Sequence, residues 1–326
     1  MKPLKKLTAL LVLLLFTAVL CISGCQQAAK KPAPSRVQTP AKIAPEVLKY
    51  KKEPTISLYR SATGAKEQIK LEEYIKGVVA AEIGPKYPME ALKAQAIVTR
   101  TMTLSLIEYE KGVRGKHGTD ASDNHTEFQA YDKKAITDNI SKAVDATRGQ
   151  ILLFNGKFAY ALFSSAAGPK TASIEEAFPK LAGKVGSYIR PVSTNGLKYA
   201  PAKYRNWTVK VPKSKIKRIM GSKAGSLNDI KISKKGPSGR ALTITAGSAS
   251  IAGVDLRQKI GFDRLYSTLL TSVKPEGNYI VFKGKGWGHG AGMEQWGAYA
   301  MAKEGKNAKQ IVTHYFPGTT WKKLYK

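Results

Sequence analysis

The sequence predicts an α+β protein in which helices mix with short antiparallel strands. Apolar and polar residues alternate over residues 55–70, apolar residues recur every three or four positions over residues 71–82, and two apolar runs flank the dipeptide Asn155-Gly156. Alternation is typical of strands, the three-and-four spacing is typical of helices, and Asn-Gly between apolar runs favours a hairpin. We therefore assign the chain to the α+β class.

The first 25 residues predict a lipoprotein-type signal peptide. The start, MKPLKK, carries three lysines and precedes an apolar run from residue 7 to about residue 22, the layout of a secretory signal. The run ends in ISGC, which resembles a lipobox, so Cys25 is the expected lipidation site. The expected location is the outer face of the cell membrane, towards the cell wall. The alternative is an uncleaved membrane anchor, because the run is nearly long enough to span a bilayer.

The rest of the chain divides by composition. Residues 26–54 are rich in Ala, Lys and Pro and predict an extended linker, and residues 55–326 predict the folded domain. A second helix is predicted to begin near Pro88, and a further helix covers residues 134–147. The short runs WTVKV, DIKIS, ALTITA and YIVFKG, with the helix-like VDLRQKIG among them, indicate a β-rich subdomain or an insertion over residues 203–282.

The charge and the cysteines limit the chemistry. The chain has 54 Lys and Arg against 23 Asp and Glu, a formal charge of +31 that attracts polyanions. Because the chain carries an export signal, we expect anionic wall polymers or lipid headgroups as partners, and no nucleic acid. The alternative is a solvated surface that only aids solubility. Cys21 and Cys25 are the only cysteines, so the mature chain has no thiol nucleophile and no thiolate zinc site.

Glu82 is the anomaly of the first predicted helix, since a carboxylate shares the apolar stripe in its last turn. Burial removes hydration and the negative end of the helix dipole opposes ionisation, so both raise the pKa. A carboxylic acid that is protonated near neutral pH can protonate a glycosidic oxygen. The alternative is a Glu that emerges into solvent where the helix ends.

The sharpest local signal is the glycine-rich segment GKGWGHGAGMEQWGAYAMAKEG, residues 284–305. Glycine lets backbone approach a ligand closely, and the faces of Trp287 and Trp296 suit sugar rings. The alternative places both tryptophans in the core and makes His289 a hydrogen-bonded structural residue. The density of glycines favours a site.

The loop HGTDASDNHTE permits a metal interpretation, because it offers nitrogen and oxygen ligands. The candidate ligands are His117, Asp120, Asp123, His125 and Glu127. A plain polar loop is the interpretation that we favour.

Two blocks of the sequence resemble the stage II sporulation protein D/amidase-enhancer family. The first, EEYIKGVVAAEIGPKYPMEALKAQAIVTRT, has the family's order of a Glu after a Tyr-containing helix and before an Ala-Leu-Lys-Ala-Gln-Ala helix with Arg-Thr. The second, GWGHGAGMEQWGAYAMAKEG with IVTHYFPGTTW, resembles the closing block, and PSGR with GVDLRQKIG resembles the region between. The blocks are spread in the family's order over residues 55–326.

The resemblance implies a lytic transglycosylase domain over residues 55–326 that cuts peptidoglycan glycan strands, preferably peptide-stripped, in sporulation, engulfment or wall remodelling. Glu82 matches the catalytic Glu, and a single carboxylate is enough because the muramic acid 6-hydroxyl closes the 1,6-anhydro ring. No cofactor is expected, and the expected partner is a wall amidase/endopeptidase like stage II sporulation protein P. The expected substrate-binding residues are Gln95, Arg100, Ser165, Lys170, Tyr188, His289, Gln295 and Trp296.

Two departures from the family pattern change the expectations. FSSAAGPKT stands where the family usually has a His-Ser-Thr-Ser-Gly-Gly-Lys-Thr-like run, so Ser165 and Lys170 match but their neighbours do not. Glu127 and Phe128 stand where zinc-binding members have His-Cys, so we expect no metal. The rival function is a non-catalytic wall-binding protein that enhances an N-acetylmuramoyl-L-alanine amidase, as other members do.

Overall fold

The computed structural model describes residues 41–326, and its mixture of helices and short sheets confirms the predicted α+β class. The predicted signal peptide and the lipidation site Cys25 lie outside the described residues. Residues 41–326 form one unit. Within this range, no helix is both long enough and apolar enough to cross a membrane.

The N-terminal half of the described chain contains two small sheets and five helices. The helices are α1 (Pro45–Leu48), α2 (Leu71–Glu82), α3 (Met89–Tyr109), α4 (Arg114–His117) and α5 (Asp138–Ala146), and the strands are β1 (Thr55–Tyr59), β2 (Lys66–Lys70), β3 (Ala121–Ser122), β4 (Gln150–Phe154) and β5 (Lys157–Phe158). Strand β1 pairs with β2 in antiparallel and with β3 in parallel orientation, and β4 pairs with β5.

The C-terminal half adds six helices and nine strands to the described chain. Its sheets have the orders β10-β9-β8 and β11-β12-β7, while β13 pairs with β6 and β14 pairs with β4. The helices are α6 (Ile174–Ala177), α7 (Ala202–Arg205), α8 (Lys213–Met220), α9 (Gly253–Ile260), α10 (Gln295–Lys303) and α11 (Ala308–Tyr315), and the strands are β6 (Phe163–Ser164), β7 (Trp207–Pro212), β8 (Lys231–Lys235), β9 (Ala241–Ala246), β10 (Ala249–Ala252), β11 (Leu270–Glu276), β12 (Tyr279–Gly284), β13 (Met293–Glu294) and β14 (Thr320–Lys323).

Helices α2 and α3 place Glu82. The predicted hairpin leads directly into α2, whose apolar stripe is fully buried, and the helix ends before Gly84, which has a φ of 68° that suits glycine. Helix α3 contributes to two of the three apolar clusters of the described core, and its alanines are fully buried. Small side chains let α3 pack closely against the helices around it.

Residues 207–282 form the third apolar cluster among themselves, with Trp207, Ile244, Leu256 and Phe282 among the buried side chains. The four predicted strands and the helix α9 are present. The structure adds α8, β10 and β11, which the sequence pattern did not predict. Ile216, Ile219 and Met220 of α8 have helical spacing, but the helix has only 8 residues, fewer than the window over which the periodicity is recognised.

Two boundaries differ from the predictions. Part of the expected linker belongs to the folded unit, because Val47 is 1% exposed and the Ala44 N–H donates to the Gly156 carbonyl at 3.0 Å. The helix predicted over residues 134–147 begins only at Asp138. The reason is a preceding turn in which the Asp132 carboxylate accepts the Lys134 N–H at 2.9 Å.

Candidate functional site

Glu82 is the last residue of α2 and is partly buried. Burial raises the pKa of its carboxyl, and the facing Ala130 N–H and Gln295 side-chain amide offset only part of that shift. No charged side chain within residues 41–326 contributes to the shift. These surroundings favour the protonated acid that the sequence predicts at this position.

Gln295 is brought to Glu82 by the start of α10. Its Nε2 atom is buried and makes no hydrogen bond of normal length with any described residue. A buried donor without a partner is rare in native structures, and here it faces a carboxyl group. The next residue, Trp296, is partly exposed. The structure therefore brings together three predicted site residues: Glu82, Gln295 and Trp296.

The glycine-rich segment packs along residues 163–172. The Trp287 N–H donates to the Ala166 carbonyl at 2.8 Å, the Ala166 N–H returns a bond of 3.0 Å, and the Trp296 N–H donates to the Ser165 carbonyl at 3.1 Å. A Cβ atom on Gly288 would collide with Ser164, and one on Gly292 would collide with the Leu162 carbonyl. These glycines therefore allow close approach of a neighbouring protein segment, where the sequence analysis expected a ligand.

His289 is partly exposed, and its described contacts are with the protein's own loops. Its Nδ1 accepts the Ala291 N–H at 3.1 Å, its Nε2 faces the Phe163 carbonyl, and its ring packs on Phe178. Burial, followed by the charges of Arg257 and Arg240, lowers the pKa of His289 to about 3. The lowered pKa keeps the imidazole neutral at physiological pH. This placement agrees with the structural alternative.

Glu294 is a buried carboxyl group that the sequence analysis missed. It accepts the Ala167 N–H at 2.6 Å and the Thr194 hydroxyl, and the Tyr315 hydroxyl lies 3.1 Å from that of Thr194. Burial raises its pKa to about 7, although these hydrogen bonds lower it. Glu294 thus fixes residues 167 and 168 beside the site. The sequence signal that could have indicated this buried carboxyl group is its position between Met293 and Gln295, in an otherwise apolar stretch.

We predict that Glu294→Gln changes how stability depends on pH. The pKa of Glu294 rises from its ordinary value of 4.5 to about 7 on folding, so the folded state keeps a proton that the unfolded state releases. The stability that this group contributes is complete below about pH 4.5 and is lost as the pH rises through about 7, by up to about 1.4 kcal/mol per pH unit. Urea unfolding at about pH 5 and about pH 8 measures the free energies. Relative to wild type, the variant should have a higher free energy of unfolding at about pH 8 than at about pH 5. A difference between the two proteins that does not change with pH would contradict the prediction.

Arg100 is placed away from Glu82, contrary to the expectation. It is 0% exposed and pairs with Glu72 in the first turn of α2, with Nε 2.9 Å from Oε1 and Nη2 2.5 Å from Oε2. Glu72 and Glu82 are ten residues apart on one helix, a rise of about 15 Å. Arg100 therefore stabilises the core, and its expected contact with substrate is corrected.

Gln95 and Tyr188 are also buried. Gln95 donates to the Thr99 hydroxyl at 3.1 Å, and its Oε1 has no partner within the described chain. Tyr188 accepts the Tyr160 N–H at 2.7 Å and packs its ring on Phe154. Both side chains lie in the core, so the structure gives neither an open face for a sugar.

Ser165 and Lys170 remain accessible. Ser165 is partly exposed between the backbones of Trp287 and Trp296, and Lys170 is exposed. The Lys170 carbonyl accepts from Arg240 at 3.3 Å, and Arg240 also donates to the Ala167 carbonyl at 2.6 Å. The buried guanidinium thus holds the loop despite its departure from the family pattern.

Two groups of partly exposed aromatic side chains lie beside this loop. We call Tyr87, Trp296 and Tyr299 the first aromatic cluster, with ring centroids 5.2–5.4 Å apart. The second aromatic cluster is Tyr204, Tyr266 and Trp287, in which Tyr266 and Trp287 stack at 4.6 Å and Tyr204 lies 4.8 Å from Trp287. Aromatic faces of this kind suit the apolar C–H surfaces of sugar rings.

In the loop that permits a metal interpretation, the polar side chains contact separate partners. His117 Nε2 lies 2.8 Å from Glu127, whereas Asp120 accepts from Ser57 at 2.8 Å. Within the described part of the chain, no three His, Cys, Asp or Glu side chains form a metal-binding group.

A pocket of about 410 Å³ has a lining that includes Lys93, Gln150 and Trp321. This lining contains none of the predicted site residues.

Comparison with known proteins gives two family matches and several relatives. Residues 59–154 match the family model of the stage II sporulation protein, and residues 193–292 match a domain of unknown function. Stage II sporulation protein D of Bacillus subtilis is 31% identical over 277 residues, which cover 81% of this chain and 78% of that protein. An uncharacterized protein of Brachyspira hyodysenteriae is 33% identical over 255 residues, which cover 77% of this chain and 66%, just under two thirds, of that protein. The amidase enhancer of Bacillus subtilis is 28% identical over 295 residues, 76% of this chain and 40% of that protein.

Proposed function

Because the chain belongs to the stage II sporulation protein D family, we propose that it is a peptidoglycan lytic transglycosylase with Glu82 as its acid and base. The observation that carries the proposal is the partly buried Glu82 carboxyl, whose pKa is raised by burial and which faces the Gln295 amide, whose Nε2 makes no hydrogen bond of normal length. Trp296 follows Gln295 in the chain and belongs to the first aromatic cluster, which would offer apolar faces to the sugar rings of the glycan.

The reaction needs one group that gives and then takes a proton. Protonated Glu82 donates its proton to the glycosidic oxygen as the bond from that oxygen to C1 of muramic acid breaks. The 6-hydroxyl oxygen of the same sugar then bonds to C1, and its proton returns to Glu82. The enzyme is restored, and the product ends in a 1,6-anhydro ring. Because the nucleophile belongs to the same sugar, proximity supplies much of the rate enhancement.

The surroundings of Glu82 fit this reaction better than hydrolysis. Glycoside hydrolysis uses two carboxyl groups that flank the scissile bond. No other charged group of residues 41–326 shifts the pKa of Glu82, and Glu294 is enclosed by its own hydrogen bonds. Gln295 can donate its free N–H to the Glu82 carboxylate that forms during bond cleavage, which stabilises the intermediate charge.

The second candidate function is a non-catalytic enhancer of a wall amidase, and the 28% identity with the amidase enhancer favours it. Digestion of peptide-free glycan strands by the purified chain, with no amidase present, separates the two. We expect fragments with anhydro-muramic ends, identified by mass spectrometry and absent with Glu82→Gln. An enhancer would release no fragments alone and would accelerate an added amidase.

Anchoring and partners complete the proposal. Lipidation of Cys25 would hold the chain at the outer membrane face, towards the wall and a wall amidase/endopeptidase partner. We expect Cys25→Ala to release the chain from the membrane fraction, because the thioether has no other acceptor in the ISGC motif. Unchanged membrane retention of the variant, measured by fractionation and immunoblotting, would favour an uncleaved anchor.

A further inference from the structure

Lys203 places a cation on the second aromatic cluster. Its side chain is exposed, and its Nζ lies 5.2 Å from the ring centre of Tyr204 and 5.5 Å from that of Trp287. Aromatic faces attract an ammonium group. Within residues 41–326, no carboxylate oxygen lies within ion-pair distance of Lys203, although many other lysines of this chain are free as well. Lys49 and Lys198 each lie over one aromatic ring, whereas Lys203 lies over two.

The backbone connects this cation to the catalytic site. The Gly286 N–H donates to the Tyr204 carbonyl at 2.7 Å, which fixes α7 to the glycine-rich segment. Trp287 pairs with Ala166, and the adjacent Ser165 accepts the Trp296 N–H. Two paired steps and one chain step thus link the backbones of Trp287 and Trp296, a path of at most about 15 Å. Tyr204 also helps to raise the pKa of Tyr87, in agreement with the proximity of the two clusters.

We propose that Lys203, Tyr204 and Trp287 form a glycan subsite for a sugar that carries a free carboxylate. This inference rests on the proposed function and specifies its substrate. The aromatic side chains contact the apolar face of the ring, while the ammonium pairs with the lactyl carboxylate of muramic acid. An attached peptide converts that carboxylate into a neutral amide, so the subsite prefers muramic acid without its peptide. The subsite lies within residues 193–292, the match to a domain of unknown function.

Calorimetric titration of the full-length chain in detergent micelles tests the subsite. All proteins carry Glu82→Gln, which prevents turnover. The probes are peptide-free glycan and the same glycan with its muramic carboxylates reduced to alcohols. We expect Lys203→Met to weaken binding of the first probe about two- to five-fold, as for an exposed ion pair, and to leave the second unchanged. Added salt should reduce the difference.

The matched control is Lys274→Met, which removes an exposed lysine of β11 that pairs with Val281 and belongs to neither aromatic cluster. This substitution should weaken the binding of both probes equally or leave it unchanged. Equal effects of Lys203→Met on both probes, or no effect on either, would overturn the subsite. These assays measure binding alone, so absence of cleavage by the wild type would refute the proposed function and leave the subsite intact.

Discussion

The Glu82→Gln variant is expected to lose glycan cleavage by about 100-fold to 10,000-fold, near the severe end because one residue serves both proton transfers. Glutamine keeps the size of the side chain and can hydrogen bond, but it can neither give nor take the required proton. The fold should tolerate the change, since a neutral amide removes the cost of burying an ionisable group. Product formation, thermal unfolding and glycan binding measured together separate loss of chemistry from loss of structure.

The matched control is Glu73→Gln on the same helix, where the carboxylate is 57% exposed and pairs with Lys76. It should cleave at nearly the wild-type rate. If Glu82→Gln folds, binds glycan and still cleaves at that rate, another group is the acid. The raised pKa of Glu82 also predicts how activity depends on pH. Because the reaction needs protonated Glu82, activity should fall as the pH rises through that pKa.

The Glu72→Gln variant is expected to lose about 3–5 kcal/mol of unfolding free energy, the largest effect on stability that we predict. It leaves the Arg100 guanidinium buried without its counter-charge. Glu72 also accepts the Gly149 N–H at 3.1 Å and the Tyr325 hydroxyl at 2.7 Å, so the carboxylate ties α2 to the C-terminal strand region. Urea unfolding measures the loss.

Two comparisons identify the ion pair as the cause. The double variant Glu72→Gln with Arg100→Met should be less destabilised than Glu72→Gln alone, because it leaves no unpaired charge. The exposed pair of Lys210 and Glu276, at 2.8 Å, is the control, and Glu276→Gln should cost far less than Glu72→Gln. Equal losses in the single and double variants would contradict the account.

The same pair gives a pH dependence of known sign. Burial alone would raise the pKa of Glu72, but the adjacent Arg100 guanidinium holds it below its ordinary value of 4.5. The folded state therefore releases this proton more readily than the unfolded state. The stability that the carboxylate contributes is present above about pH 4.5 and is lost as the pH falls through the lowered pKa.

Local patterns predicted the elements that local forces determine. The hairpin, α2 and the turn at Asn155-Gly156 follow from alternation, helical spacing and backbone preferences, and the structure confirms them. Glu82 stood out because a carboxylate on an apolar stripe is costly wherever the helix packs. Helix α8 escaped prediction because its 8 residues are too few for helical periodicity to be recognised.

Tertiary partners determined the rest of the candidate site. Arg100 is an ordinary arginine in sequence, and only the approach of Glu72 from another helix makes it a core residue. The glycines near His289 indicate close approach, but the pattern does not reveal whether a ligand or another loop approaches. Lys203 lies outside every motif, and its position above Trp287 depends on the fold of the 193–292 segment.

Digestion of peptide-free glycan in water enriched in heavy oxygen is the most direct test of the central claim. A lytic transglycosylase closes the muramic acid ring on its own 6-hydroxyl, so no solvent oxygen enters the new end. We predict fragments that are one water lighter than hydrolysis products and carry no heavy oxygen. Reducing-end fragments that carry heavy oxygen would identify a hydrolase, and the absence of fragments from folded, glycan-binding protein would identify an enhancer; either result would contradict the account.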